Sequence, residues 1–284
     1  MAKIGIIGGS GLYKLESLKK IKKIELRTPF GNPSDAYVTG VIDGKEVVFL
    51  PRHGIGHRIL PSELNYRANI YGMKKLGVDT LLSIGAVGSL KEEIRPLDMV
   101  VVDQFVDRTN QARKVTFFGD GIVAHPVFAD PVCPELSKIL FLAGKSTGVT
   151  IHRGGTYLNM EGPLFSTRAE SNLYRSWGMD VIGMTNMPEA RLAREAQMCY
   201  ASLAMVTDYD CWREGESVTL EMILDNLNRN ADAAKMIIRK VVSTIGGKKS
   251  CGCGESMRYA IVTDKSKMPA KKKKELELLI GKFL

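Results

Sequence analysis

The sequence predicts an α/β fold: one domain with a central β-sheet flanked by helices. Three observations carry this. Short apolar runs of strand length recur along the chain, several of them separated by stretches with helical spacing. Strand after strand then ends in a glycine-rich or polar turn, at 8–11, 51–57, 85–89, 161–168, 183–187 and 207–210. Finally, no internal repeat or low-complexity linker divides the 284 residues, a length that suits one large domain or two small ones. In sheets of this class the strand ends converge on one crevice, which is where a ligand is expected.

In order, residues 3–7 read as a buried strand running into Gly8-Gly9-Ser10-Gly11, an anion-cradle candidate because bare backbone N–H groups approach a phosphate closely. The dinucleotide fingerprint fails for want of a glycine at Lys14, and the P-loop fails for want of Gly-Lys-Ser/Thr. Runs 37–42 and 46–50 join around Asp43-Gly44, a hairpin signal. The second enters Arg52-His53-Gly54-Ile55-Gly56-His57-Arg58. His53 and His57 have the spacing of a helical metal pair, but Gly54 and Gly56 oppose a helix and Arg52 and Arg58 repel a cation. Two readings remain, an anion contact with Arg52 as charge-assisted donor and a solvated basic loop.

Residues 64–76 have helical spacing, and 80–84 form a strand that exits into the turn Gly85-Ala86-Val87-Gly88-Ser89. A strand at 99–102 ends in Asp103. The loop 110–132, with the lone His125, is long enough to be functional or interfacial. Pro134 starts a helix to about 143. Strands at 156–160 and 181–182 follow, then a helix that carries 190–197, with Pro188 in its first turn.

Residues 203–206 are a buried strand that breaks at Thr207-Asp208-Tyr209-Asp210. If the extended geometry continues, Asp208 and Asp210 face the same way, offering two carboxyls to a nitrogen-rich ring. The alternative is an Asx-type turn that merely closes the strand. A long amphipathic helix starts near Thr219. On it Leu220, Ile223 and Leu224 form one apolar face, suited either to core packing or to walling a ligand. A last helix follows Pro269 with a solvated lysine face, within a C-terminal extension spanning about 257–284.

The composition, 44% hydrophobic and 25% charged, is that of an ordinary globular protein. No run of ~18 apolar residues exists to span a membrane. The short, glycine-broken start lacks a signal-peptide cleavage site, so a cytoplasmic address is expected. The net charge is +9, and residues 257–284 hold eight basic against three acidic side chains, about half of that excess. Without zinc-finger spacing or aromatics among the basic residues, nucleic acid is not an expected partner. Five cysteines are an odd number in a long chain, so no secreted disulfide framework is expected. Cys251-Gly-Cys253 is too tight for a zinc knuckle and has no second pair in sequence. It reads as reduced thiols, or as a small, redox-labile disulfide.

Several stretches together resemble one family: 5–12, Thr28-Pro-Phe-Gly-Asn-Pro-Ser-Asp35, Arg52-His53-Gly54, Pro61-Ser62, Asn65-Tyr66, Gly88-Ser-Leu-Lys-Glu-Glu93, Asp103-Gln-Phe-Val-Asp-Arg-Thr109, Glu161-Gly-Pro163 with Phe165-Ser-Thr-Arg-Ala-Glu-Ser171, and Thr207-Asp-Tyr-Asp-Cys-Trp212. Across residues 3–243 the chain is similar to the S-methyl-5′-thioadenosine phosphorylases, of the trimeric purine nucleoside phosphorylase class. The resemblance implies that class's mixed-sheet fold. It also implies a homotrimer or dimer of trimers, and phosphorolysis with inorganic phosphate as co-substrate and neither cofactor nor metal.

It further implies that Ser10, Arg52, His53, Gly85, Ala86 and Thr185 line the phosphate, and that Met184 and Thr185 touch the ribose. Phe165 and Ser166 would hold the base, and Asp208 and Asp210 would be catalytic at N7 and N6. Leu220, Ile223 and Leu224 would border the 5′-substituent, and His125 would come from a neighbouring subunit. Gly85 replaces a common Ser or Thr, and Met184-Thr-Asn-Met187 departs from the more usual Met-Thr-Thr-Val. The alternatives are a broader purine nucleoside or methylthioinosine phosphorylase, and a non-catalytic nucleotide-binding α/β protein.

Overall fold

The computed structural model describes residues 3–9, 12, 17–110, 112–213, 219–246 and 249–284. Among these residues, eleven strands form one mixed sheet. At its centre lie β1 (Ile4–Gly8), β5 (Thr80–Ser89) and β11 (Cys199–Asp208), with β5 parallel to both others. β2 (Lys19–Ile24), β3 (Tyr37–Ile42) and β4 (Lys45–Pro51) extend the sheet beyond β1, the β3–β4 hairpin turning at Asp43-Gly44 as expected. β6 (Met99–Val102) and β8 (Ile151–Arg153) continue beyond β11. β10 (Val181–Gly183), β9 (Thr156–Met160) and β7 (Gln104–Arg108) branch from the end of β5.

That branch makes the crevice. β11 pairs along nearly all of β5, from Thr80 to Gly88. On its other edge β5 pairs with β1 only at residues 80–83 and with β10 only at Gly88 and Ser89. Among the described residues, 84–87 therefore have no strand beside them on that edge. The backbone groups of such a gap need other partners, and a change of neighbouring strand is where α/β sheets place ligands.

Helices cover both faces. One face packs α1 (Tyr66–Lys75), α4 (Asn186–Glu195) and α6 (Ala270–Ile280) on Ile7, Val48, Leu50, Leu81 and Tyr200. The other packs α2 (Pro134–Ser146) and α5 (Leu220–Thr244) on Ile4, Ile6, Val47, Leu82 and Leu203. Being covered twice, β11 is buried at all ten positions, and so reads as a continuous apolar run rather than an alternating one. Helix starts follow capping chemistry. Thr219 accepts from Met222 N, Asn65 from Ala68 N, and Thr167 with Glu170 forms a capping box at α3 (Arg168–Ser176). No helix among the described residues is long and apolar enough to cross a membrane.

Five features differ from the sequence expectation. Residues 85–89 are not a turn but the second half of β5; glycine reads as a strand breaker, yet here small residues let other groups approach closely. β7 occupies the stretch read as a strand exit, and β2 is an exposed, lysine-rich edge strand without an apolar pattern. α4 begins at Asn186, so Thr185 is its N-cap residue. Lys272 is not solvated: it is buried, paired with Glu275 at 2.7 Å and Asp120 at 3.3 Å, over the Phe30 ring.

Candidate active site

The acidic end of the crevice forms where β11 stops. The register slips between Val206 and Asp208, and Asp210 has φ of 54°, a left-handed conformation that Asp tolerates. The Asp210 N–H donates to Asp208 Oδ1 at 2.7 Å, and the Thr207 hydroxyl donates to Asp208 Oδ2 at 2.7 Å. The Asx turn and the carboxylate pair are thus one structure: the turn, not strand alternation, brings the acids together. From α5, Asn226 donates to Thr207 O at 2.7 Å and Asn230 to Val206 O at 2.8 Å, fixing the strand end one helical turn at a time. Gly88 lies beneath the pair. A Cβ there would stand 3.0 Å from Asp208 Oδ1 and 3.3 Å from Asp210 Cβ.

Both carboxyls are buried, and burial raises each above the ordinary carboxylate range. At Asp208 the Thr207 hydroxyl and Asp210 N–H oppose the rise. At Asp210 the charge of Asp208 adds to it. Asp210 Oδ2 and Ser171 Oγ are buried without a hydrogen-bond partner among the described residues. Two like-charged neighbours in low dielectric favour a pair that holds one proton between them.

The cationic end is built differently. Arg52, 3% exposed, pairs with the buried Glu189 of α4, Nε to Oε1 at 2.5 Å and Nη2 to Oε2 at 3.1 Å. Its Nη2 also donates to Ser83 Oγ at 2.7 Å and Ile7 O at 3.3 Å, and Nη1 to Ile84 O at 2.8 Å. Ser83 in turn bonds Glu189 and Asn186. Arg52 thus bridges β1, β5 and α4, and Nη1 keeps its second hydrogen beside Gly85, where a Cβ would lie 3.5 Å away. His53 has its Nδ1 2.8 Å from Ile59 O and its ring stacked on His57 at 4.3 Å. Burial pushes His53 down to about 4, and the nearby Arg52 and His57 add to the fall. At neutral pH the imidazole is uncharged. A carbonyl can only accept, so Nδ1 carries the proton and Nε2 is left as an acceptor.

Between these ends lie the middle residues. Met184 packs under Gly162, and its carbonyl accepts from Asn159 Nδ2 at 3.3 Å and from Arg113. Thr185 is buried. Ser166 is buried, and its carbonyl accepts from Cys211 Sγ at 3.2 Å, tying this segment to the acidic turn. Phe165 beside it is 61% exposed. Ala86 is exposed and Gly85 half-exposed on the open edge of β5. Leu220 and Leu224 are exposed and Ile223 half-buried, on the helix whose Asn226 holds the acidic turn; for the two leucines, core packing is not the role.

Ser10 lies outside the described residues. His125 is exposed and is not gathered with the others; its N–H donates to Ala260 O at 2.8 Å in the C-terminal segment. Sequence reasoning missed Glu189, Ser83 and Arg113. Arg113 is buried with Nε 3.0 Å from Glu161 Oε1 and Nη2 2.6 Å from Glu161 O, anchoring the 110–132 loop to the crevice. The signal available was a set of charged residues within otherwise apolar stretches, which names no partner.

The sequence profile described as the phosphorylase superfamily matches residues 3–243. The chain belongs to this superfamily. Within it, this phosphorylase is 58% identical over 282 residues to the S-methyl-5′-thioadenosine phosphorylase of Geobacter sulfurreducens, covering 99% of both chains. It is 55% identical to the enzyme of that name from Koribacter versatilis, covering 99% of this phosphorylase and 97% of that chain. A methylthioadenosine phosphorylase from an antarctic soil metagenomic library superposes with a TM-score of 0.93 at 48% identity, covering 98% of each. A Schistosoma mansoni adenosine/methylthioadenosine phosphorylase mutant, solved with methylthioadenosine, superposes at 0.84 with 37% identity, covering 90% of this chain and 95% of that one.

Proposed function

We infer that this chain is a pentosyltransferase that cleaves S-methyl-5′-thioadenosine with inorganic phosphate, giving adenine and 5-methylthioribose 1-phosphate. One observation carries the reading. Along the open edge of β5, a protonatable acid pair stands at Gly88 and a fixed arginine at Gly85, so donors of opposite task stand three residues apart on one strand.

Phosphate occupies the gap in β5, taking the backbone N–H of Ala86, the remaining Arg52 Nη1 hydrogen and the Thr185 hydroxyl, with Gly85 leaving room beside Arg52; Ser10 belongs to the same set. The His53 Nε2 acceptor suits a P–O–H donor. A phosphate oxygen attacks C1′ as the C1′–N9 bond breaks and its electrons pass to the purine. The leaving base gains a proton at N7 from the Asp208/Asp210 pair, while the ionised member accepts from the 6-amino group. Aligned charge serves an oxocarbenium-like transition state, so no protein nucleophile is needed. Met184 meets the ribose, Phe165 and Ser166 the base, and Leu220, Ile223 and Leu224 the methylthio group, which wants an apolar wall.

The reading extends to a homo-oligomer. His125 lies two residues from exposed Val123 and Val127, and its segment runs beside 260–262, with exposed Val262 bonded to Val123 and exposed Tyr259 next in sequence to Ala260. This apolar patch suits contact with a second copy, through which His125 would enter a neighbouring crevice. Incubation of the purified chain with methylthioadenosine, with and without phosphate, tests the central step. Adenine release that requires phosphate is the expected outcome. Release without phosphate, or cleavage of 6-oxo nucleosides only, would refute it.

A further inference from the structure

Far apart in sequence, Cys133, Cys199, Cys251 and Cys253 converge. All four Sγ atoms lie within 4.8 Å of one another, and Cys199 and Cys251 are 3.4 Å apart. In sequence Cys251-Gly-Cys253 has no companion pair; the fold supplies it. Cys133 is the N-cap residue of α2, and Cys199 opens β11.

The spacing suits one metal ion. With Zn–S bonds of ~2.3 Å, a tetrahedron has sulfur–sulfur edges of about 3.8 Å, within the spread seen here. Paired disulfides would bring sulfurs together in twos and require no fourfold convergence. Three of the cysteines are at most 7% exposed, and two are held by rigid backbone bonds: Cys133 N to Tyr200 O at 2.7 Å and Cys199 N to Asp79 O at 3.0 Å. An all-thiolate site carries excess negative charge, and two features oppose it. The N-terminus of α2 points its positive end at Cys133, and the Lys249 ammonium, 2.8 Å from Asp79 Oδ1, stands against the Cys199 thiol. Cys251 and Cys253 also wall a cleft of about 520 Å³ with Pro134, Ser137 and Asp103, which gives an ion a way in.

We propose that these four cysteines bind a single zinc ion as a closed structural site. It clamps the segment after α5, which leads to α6, onto the starts of α2 and β11. Four protein ligands leave no open position, so the ion is structural rather than catalytic.

The full-length chain, purified under thiol reductant without a metal-affinity step, tests this by elemental analysis and native mass spectrometry. The expected result is one zinc per chain that survives a weak chelator. Co²⁺ offered to the reduced, zinc-stripped chain should give the absorption of tetrahedral thiolate cobalt. Cys253→Ser should lose both signals. Stripping zinc should lower the Tm while phosphate-dependent turnover at saturating substrate stays intact below that Tm, separating this proposal from the catalytic one. Reduced wild-type chain that takes up no stoichiometric Zn²⁺, or peptide mapping that finds these cysteines paired as disulfides in the freshly isolated protein, would overturn it.

Discussion

The two ends of the crevice handle buried charge in opposite ways. At the cationic end, Arg52 is matched by Glu189 and nearly saturated by Ser83, Ile84 and Ile7. At the acidic end, Asp208 and Asp210 face each other, and among the described residues Asp210 Oδ2 has no hydrogen-bond partner. The first arrangement is part of the fold and spares one N–H for a ligand. The second costs stability and raises both carboxyls, favouring a bound proton at the pair. Substitutions should therefore separate activity from stability at one end and couple them at the other.

The largest effect on turnover is expected at the acids. Asp210→Asn or Asp208→Asn should lower kcat by about 10²–10⁴-fold, the usual worth of a positioned general acid, with Tm unchanged or raised. Initial rates and calorimetry check this; equal loss of rate and fold would contradict it. Arg52→Ala should instead strip the partner from buried Glu189, destabilising the fold by about 3–5 kcal/mol as well as weakening phosphate binding. Urea unfolding and the KM for phosphate report the two losses. Gly88→Ala would push the added Cβ against Asp208 Oδ1, and a misplacement on the order of 1 Å costs about 10²-fold in rate, read as kcat with little change in phosphate KM.

How legible the site was follows from how it is made. The α/β order, the β3–β4 hairpin and the residues at strand ends could be read from apolar runs and turn signals, because those are local. Asp208 and Asp210 were visible for the same reason, though strand alternation was the wrong cause for their meeting: the left-handed turn at Asp210 brings them together. Glu189, Ser83 and Arg113 were not visible, since their partners lie 137, 31 and 48 residues away. Likewise Cys133 and Cys199 join Cys251 only through the fold. The loop at 110–132 was recognised as long, but its anchors Glu195 and Arg113 carry no sequence pattern.

The smallest effect sharpens the same contrast outside the crevice. Burial pushes Glu195 from 4.5 up to about 7, while Thr116 and Phe117 donate to it at 2.6 and 2.7 Å. The folded state holds this proton more tightly than the unfolded one. The stabilisation is complete below about pH 4.5 and is lost as pH rises through about 7. Glu195→Gln should flatten the pH dependence of Tm across that interval and leave turnover nearly unchanged. His53 has the opposite sign: folded near 4 against 6.5 unfolded, it favours the fold above pH 6.5, and that contribution is lost as the pH falls toward 4.

The proton donated to the departing base is the centre of the account, and the 7-deaza analogue of methylthioadenosine tests it most directly. The analogue keeps the shape, the 6-amino group and the methylthio group but presents C–H where N7 would take a hydrogen. The account predicts that it binds competitively and is not cleaved by phosphate. Turnover at a rate comparable with methylthioadenosine would contradict it.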